Sequence, residues 1–382
     1  MKLIHVFSAP QSAYYFMNGQ LDYMASNGVE VTVIMPADSE FNTKFKEKQF
    51  NVNIVNINFE RNISIKTDLY CLFQLISAFR KLKPDIIHLH TPKASLLGGL
   101  AARFLRKKHI VFQMHGLVSA LGNSVQKGLI YSMEKLTCML STQIFAVSES
   151  IKEFAIQHNF CNRNKIFVIE KGTINGIDFN NQFNPIKHKR TNTEYHNLCY
   201  GKFVIGFVGR LSKDKGIYDY IEILFKCKEK NLQVIGFVIG PDESQGELAI
   251  LLKKYNLVQN KDIYLFGQQL EPESFMIHFD ILLLPTKREG FGLVGSEANA
   301  LEIPVVGYNI PGFRDSVLNN KTGLLVDFEN TDKLLEAVLI YYKDPILKKK
   351  HGKYGRKRVI RDFDQKLIWE SLYKQYRTLL TN

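Results

Sequence analysis

The chain has 382 residues, 45% of them hydrophobic and 23% charged, which is the balance of a folded protein and more than one α/β core holds, since single cores rarely grow past ~250 to 300 residues. Lys and Arg outnumber Asp and Glu by 50 to 37, and the resulting net charge of +13 favours polyanions: nucleic acid, anionic lipid or phosphorylated substrates. No segment approaches the ~18 apolar residues of a membrane span, and Cys71, Cys138, Cys161, Cys199 and Cys227 are scattered and never spaced C-x-x-C, so neither a disulfide framework nor a zinc ribbon is expected, in keeping with a reducing cytoplasm.

The opening MKLIHVFSAP reads as a first strand, its apolar run being too short for a secretory signal. From there short apolar runs alternate with helix-length amphipathic segments, the pattern of parallel sheets joined by crossover helices. The first half predicts strands over 2–7, 29–35, 51–57, 85–90, 109–114, 143–147 and 165–169. Between the third and fourth, Leu69, Leu72, Phe73, Ile76 and Phe79 recur at three- and four-residue spacings, predicting one apolar face on a helix over 66–82. Residues 180–202 break the rhythm with Asn, Thr, bases and a proline, and 184–199 is the expected linker. Strands resume over 203–209, 232–240, 262–267, 280–285, 304–307 and 323–326. Two doubly wound α/β domains follow, 1–183 and 200–363. A last helix over 365–380 sets Leu367, Ile368, Leu372, Tyr376 and Leu379 along a face that must pack on something.

Ligands of open parallel sheets bind beyond the carboxyl ends of the strands, so the loops there carry the chemistry. In GRLSKDKG, Arg210 and Lys215 stand five apart before a helix, where side-chain charge adds to backbone N–H groups to make an anion site; a solvated basic loop would have the same sequence. The stretch KREGFGLVGSEA, residues 287–298, contains G-x-G-x-x-G from Gly290 to Gly295. A dinucleotide fingerprint needs its first glycine directly after the strand and an acidic residue ending the next strand. Here Thr286, Lys287, Arg288 and Glu289 intervene, the next strand ends in Gly307 and Tyr308, and Asp315 falls beyond a Pro-Gly turn on a predicted helix. A sugar-nucleotide cradle fits better, with glycines admitting the ligand to the backbone and Glu289 and Glu297 accepting from hydroxyls. Glu297 is expected in the first turn of the following helix, where the dipole alone would also favour it. His88 and His90 on one strand face, with His115 in the loop HGL (115–117), raise zinc against the alternative of packed, hydrogen-bonded histidines. No helix-turn-helix, zinc-finger or aromatic RNA-binding pattern accompanies the charge, so nucleic acid is not an expected partner.

GRLSKDKG and EGFGLVGSEANALEIPVV, with HTPKASLLGGLAAR, MHG and GTINGID in the first half, resemble the retaining glycosyltransferases of GT-B architecture called family 4, over nearly the whole chain. The first-half motifs look most like those of bacterial enzymes that build capsule, O-antigen and related surface polysaccharides. The resemblance implies two Rossmann-like domains with a cleft between them, a nucleotide-sugar donor held mainly by the second, and a last helix crossing back to the first. It assigns Arg210 and Lys215 to the donor diphosphate, Glu289 to hydroxyls of the transferred sugar and Glu297 to the ribose. Backbone N–H groups of Phe291, Gly292 and Leu293, after Gly290, would lie near sugar and phosphates, and His115 matches a histidine facing the reaction centre across the cleft.

No cofactor and no metal is implied, since Arg210 and Lys215 would replace the ion that other glycosyltransferases hold with D-x-D; Asp362-Phe363-Asp364 reads instead as the approach to the last helix, with Asp364 as its cap. Front-side attack with the departing phosphate as base is the expected route, a covalent intermediate needing a carboxylate that nothing singles out. Two departures stand out. Glu302 replaces a frequent glycine, expected as a surface change, and SAPQSAYYF lacks a double glycine, which leaves the acceptor contacts and any role of Ser8 open. The expected partners are a nucleotide-sugar, specifically a UDP-sugar of a hexose or N-acetylhexosamine, a polyprenyl-diphosphate-linked saccharide, and an anionic membrane surface met on the cytoplasmic side by RFLRKKH (103–109) and the run 124–141. A GT-B-like nucleotide-sugar epimerase and a non-catalytic nucleotide-sugar binding protein are the competing readings.

Overall fold

The computed structural model describes residues 1–48, 52–60, 64–116, 125–188 and 195–381. They form two compact units, Met1–Gly176 with Gln365–Asn382, and Ile177–Asp364.

In the first unit β1 (Lys2–Val6), β2 (Glu30–Met35), β3 (Val52–Asn56), β4 (Ile86–Leu89), β5 (His109–Met114), β6 (Gln143–Ala146) and β7 (Ile166–Val168) make a parallel sheet in the order β3-β2-β1-β4-β5-β6-β7. Helices cover both faces, so β1, β2, β4 and β5 bury almost every residue, which is why they read as unbroken apolar runs. On one face Leu3, Val31, Val33 and Phe145 meet Ile368, Leu372, Tyr376 and Leu379 of the last helix, Gln365–Thr381. That helix therefore finds its packing partner in the first unit. Its Trp369 donates to the Asn175 side chain at 2.7 Å, and Asn175 donates in turn to the Asn18 carbonyl at 2.9 Å. Asp364 directly precedes the helix and forms a bridge with Ile177.

On the other face, the helices Ile65–Leu82, Pro92–Phe104 and Val125–Leu140 follow one another around the sheet. Gly98 lets the middle helix close on β4, since a Cβ there would stand 2.5 Å from the Leu89 side chain. The helix over Ile65–Leu82 differs from expectation. It buries Cys71, Leu75, Ile76 and Phe79, while Leu69 is 50% and Phe73 66% exposed. The apolar stripe is thus wider than the core needs, and one edge of it faces outward.

In the second unit β8 (Phe203–Val208), β9 (Val234–Ile239), β10 (Ile263–Leu265), β11 (Ile281–Leu284), β12 (Val305–Tyr308) and β13 (Gly323–Val326) run parallel in the order β10-β9-β8-β11-β12-β13. Residues 189–194 of the expected linker lie outside the described residues, as do Leu117 of the HGL loop and residue 124. Glu302 is exposed, but its backbone has φ 62°, and its carbonyl lies against Gly352, where a Cβ would come within 1.9 Å. The position favours glycine for backbone reasons, and the glutamate carries a strain of about 1 kcal/mol.

Candidate active site

Both sheets reverse their order once, between β1 and β4 in the first unit and between β8 and β11 in the second, and the carboxyl ends of those strand pairs are where a doubly wound sheet opens a crevice. In the second unit the flanking loops are 209–216, after β8, and 285–292, after β11. They pass so close that only glycine fits at Gly216: its φ is 81°, and a Cβ would stand 2.0 Å from the Pro285 carbonyl oxygen. Lys287 N–H donates to the Asp214 carbonyl at 2.9 Å and Thr286 Oγ1 to the same oxygen at 3.4 Å, so the loops are tied main chain to main chain.

Charge is concentrated on this seam. Lys215 Nζ lies 2.7 Å from Glu289 Oε1, and their side chains are only 23% and 13% exposed. Arg210 reaches Glu243 at 2.7 Å and Asp214 at 3.1 Å, and Arg288 stands 3.7 Å from Asp214. Burial would raise the Asp214 carboxyl, but the Ser212 hydroxyl together with Arg210, Lys215 and Arg288 outweighs it and holds the group below its ordinary value. Asp214, Thr286 and Arg288 are the site members that sequence reasoning missed. Asp214 lies inside the GRLSKDKG motif, so the signal was present; its role as a hub depends on the other loop.

The helix Leu293–Ala300 starts where the second loop ends. Among the described residues nothing accepts from the N–H groups of Phe291, Gly292 and Leu293, so they form the donor-rich end of that helix. The Phe291 side chain is buried against Phe363, with ring centroids 5.0 Å apart. Glu297 does not sit in the first turn as expected; it is the fifth helical residue, past the reach of the N-terminal dipole. Burial, and secondarily the Glu273 charge, push its carboxyl up to about 8. A carboxyl in that state both donates to and accepts from neutral hydroxyls. Cations and N–H donors together with carboxyl groups on these two loops and the helix after them suit a ligand that is part diphosphate and part polyol.

In the first unit Ser8 donates to Thr91 Oγ1 through its N–H at 2.9 Å and its hydroxyl at 2.8 Å, across the β1–β4 reversal. His5, His88 and His90 are buried together below it, their ligand-capable atoms within 4.8 Å of one another. The cluster is not the trio of His88, His90 and His115 for which the sequence raises zinc but one that includes His5, the register partner of His88. Its nitrogens are turned on each other: His5 Nδ1 and His90 Nε2 are 2.9 Å apart, His90 Nδ1 and His115 Nε2 3.3 Å, and His88 Nδ1 pairs with the Tyr376 hydroxyl at 2.5 Å. Burial drives the His115 ring down to about 3, so it is neutral at any ordinary pH. Arg210, Lys215, Gly290, Glu289 and Glu297 belong to the second unit and His115 to the first.

Two parallel, doubly wound units, the second with a cation-and-carboxylate seam at its order reversal, define the GT-B class of fold. A solved structure of HepE from Anabaena in complex with UDP and glucose superposes with a TM-score of 0.82, covering 99% of this chain and 100% of that one at 18% identity. The profile of glycosyl transferases group 1 matches residues 189–358, and that of glycosyltransferase family 4 residues 20–175. The chain is 33% identical over 380 residues to the capsular polysaccharide biosynthesis glycosyltransferase CapM of Staphylococcus aureus, covering 99% of this chain and 97% of CapM. It is 26% identical over 294 residues to the UDP-Gal:alpha-D-GlcNAc-diphosphoundecaprenol alpha-1,3-galactosyltransferase of Escherichia coli, 75% of this chain and 74% of that one. The chain belongs to the group 1 glycosyltransferases.

Proposed function

We propose that the chain is a retaining glycosyltransferase of surface-polysaccharide biosynthesis that moves a hexose or N-acetylhexosamine from a UDP-sugar to a polyprenyl-diphosphate-linked saccharide. The observation that carries this is the Lys215–Glu289 pair on the seam between the two loops. When a donor diphosphate enters, Lys215 and Arg210 exchange their carboxylate partners for phosphate oxygens, and Glu289 becomes available to hydroxyls of the sugar. The departing nucleoside diphosphate gains negative charge as the glycosidic bond breaks, and two fixed cations with the Phe291–Leu293 N–H groups stabilise that charge without a metal. Glu297, carrying a proton for part of the time near neutrality, suits the ribose hydroxyls. His115 is the first unit's contribution to the reaction. The names of the E. coli relative and of the HepE complex support the UDP-sugar, and the former also the lipid-linked acceptor.

The acceptor's lipid fits a protein that works at the cytoplasmic membrane surface. Among the described residues no helix is long and apolar enough to cross a bilayer. Instead, Ile65, Leu69, Tyr70 and Phe73 project outward from one helix, Phe104 lies exposed beside Arg80, and Leu129 and Met139 project from the helix Val125–Leu140. Within RFLRKKH the side chains of Arg103 and Lys107 are tied to carbonyls, leaving exposed Arg106 and Lys108 to meet lipid phosphates.

A thermal-shift panel of nucleotides and nucleotide-sugars tests the donor reading. A saturating UDP-sugar stabilises the protein by about 2.7 kcal/mol at a hundred-fold excess over Kd, and Lys215→Ala abolishes most of that shift. Equal shifts in wild type and variant, or none with any nucleotide, would overturn it.

A further inference from the structure

The ring nitrogens of His5, His90 and His115 form a single file. His5 Nδ1 meets His90 Nε2 at 2.9 Å, and His90 Nδ1 meets His115 Nε2 at 3.3 Å. Stacking fixes the rings: Phe7 lies on His90 with centroids 4.2 Å apart and planes 9° apart, and Phe16 on His115 at 4.8 Å and 24°. His5 and His90 are 1% and 0% exposed, so neither bonds to bulk water, and desolvation keeps all three rings neutral.

A neutral imidazole carries one N–H and one lone pair, so the file has only two consistent proton arrangements. In the first, His5 Nδ1–H donates to His90 Nε2, His90 Nδ1–H donates to His115 Nε2, and His115 holds its proton on Nδ1. In the second every bond is reversed: His115 Nε2–H donates to His90 Nδ1, His90 Nε2–H to His5 Nδ1, and His5 is left with its proton on Nε2. The far end decides between them. His5 Nε2 is buried and has no hydrogen-bond partner among the described residues. The second arrangement strands a buried N–H there; the first strands only a lone pair there and puts its one unbonded N–H on His115 Nδ1, in a ring that is only half-buried, and orphaned buried N–H groups are the rarer and costlier of the two.

We infer that His5 and His90 are positioning residues that hold His115 as a neutral ring protonated at Nδ1, so that His115 serves the sugar-transfer reaction as a hydrogen-bond donor and not as a base. Among the described residues nothing else bonds to His115 Nδ1. This rests on the proposed function, in which His115 takes part in the reaction. The lone pair of His115 Nε2 is committed to His90, so the ring has no basic nitrogen to offer a substrate hydroxyl, and proton removal falls to another group, in keeping with the departing phosphate.

The test is a two-bond proton–nitrogen correlation spectrum of the full chain labelled with 15N-histidine, the His115 signals being identified by their loss in His115→Asn. The expected wild-type pattern is a neutral ring with its proton on Nδ1; a proton on Nε2 overturns the inference without any variant. His90→Phe keeps the stack on Phe7 and breaks the file, and is expected to move the His115 proton toward Nε2. His5→Phe acts from the far end and is expected to release the same lock, while Tyr376→Phe, which removes only the hydroxyl bonded to His88, leaves the His115 pattern unchanged. In transfer assays His115→Asn, which puts an amide N–H near the Nδ1 position, is expected to keep a kcat at least about ten-fold above His115→Gln, which puts it near Nε2. Full activity in His115→Ala would remove His115 from the reaction but leave the tautomer result standing. An unmoved His115 tautomer in both His90→Phe and His5→Phe would refute the positioning role while leaving His115 in the reaction.

Discussion

Replacing Lys215 by methionine keeps most of the side-chain volume and leaves the Glu289 carboxylate, 13% exposed, without the cation 2.7 Å away. Exposed ion pairs contribute ~0.2 to 1 kcal/mol, and breaking a buried one costs ~3 to 5 kcal/mol. This pair lies between those limits, so Lys215→Met should lose about 2 kcal/mol of stability, most of it the cost of a stranded charge. The double variant Lys215→Met with Glu289→Gln removes that charge, and its stability should return to within about 1 kcal/mol of wild type. Activity should not return. If both groups bind the donor, kcat/KM falls ~100-fold or more in both singles and in the double. Urea unfolding at neutral pH gives the first quantity and transfer kinetics with a UDP-sugar the second. A double variant that recovers activity along with stability would show that the pair only holds the two loops together, and the reasoning would be refuted.

Glu297 holds a proton in the folded chain up to about 8, whereas an ordinary glutamate releases it near 4.5, so folding stability should fall as pH rises between those values. Glu297→Gln lacks that slope, and thermal melts from pH 5 to 9 should show the variant gaining on wild type toward pH 8; parallel curves would contradict the raised carboxyl. Gly216→Ala forces a Cβ against the Pro285 carbonyl at a positive φ, and should cost about 2 kcal/mol and weaken UDP binding in a calorimetric titration. Leu69→Asp with Phe73→Asp removes apolar surface that the core does not use; the pair should reduce flotation with anionic liposomes at low salt without lowering thermal stability by more than about 1 kcal/mol. Unchanged flotation would move the membrane contact elsewhere.

The strands were legible because a parallel strand covered on both faces has to be apolar at nearly every position, as β4 and β11 are. Arg210, Lys215, Glu289 and the glycine stretch were legible because loops after parallel strands are few, and unusual residues there stand out. Helix periodicity failed on Leu69 and Phe73, since spacing reports an apolar stripe but not whether a core or an outside partner covers it. Glu297 was misplaced by one turn because the helix start depends on Gly292, whose φ of 77° is invisible in a run of glycines. The links from Asp214 to Thr286, Lys287 and Arg288 join loops more than seventy residues apart, and no local pattern encodes them. His5 stands in the sequence as a lone polar residue of a strand, and no spacing marks it. Only the register that sets it beside His88, and the turn of the chain that brings in His90 and His115, gives it a task.

The central claim is that the seam between the 209–216 and 285–292 loops holds a nucleotide-sugar for transfer with retention. It is tested most directly by incubating the chain with UDP-sugars and a polyprenyl-diphosphate-linked saccharide, and reading the product's new linkage by NMR. The account predicts a glycosylated lipid-linked saccharide, release of UDP, and a linkage with the donor's own anomeric configuration. An inverted linkage, or an epimerised nucleotide-sugar formed without any acceptor, would contradict it.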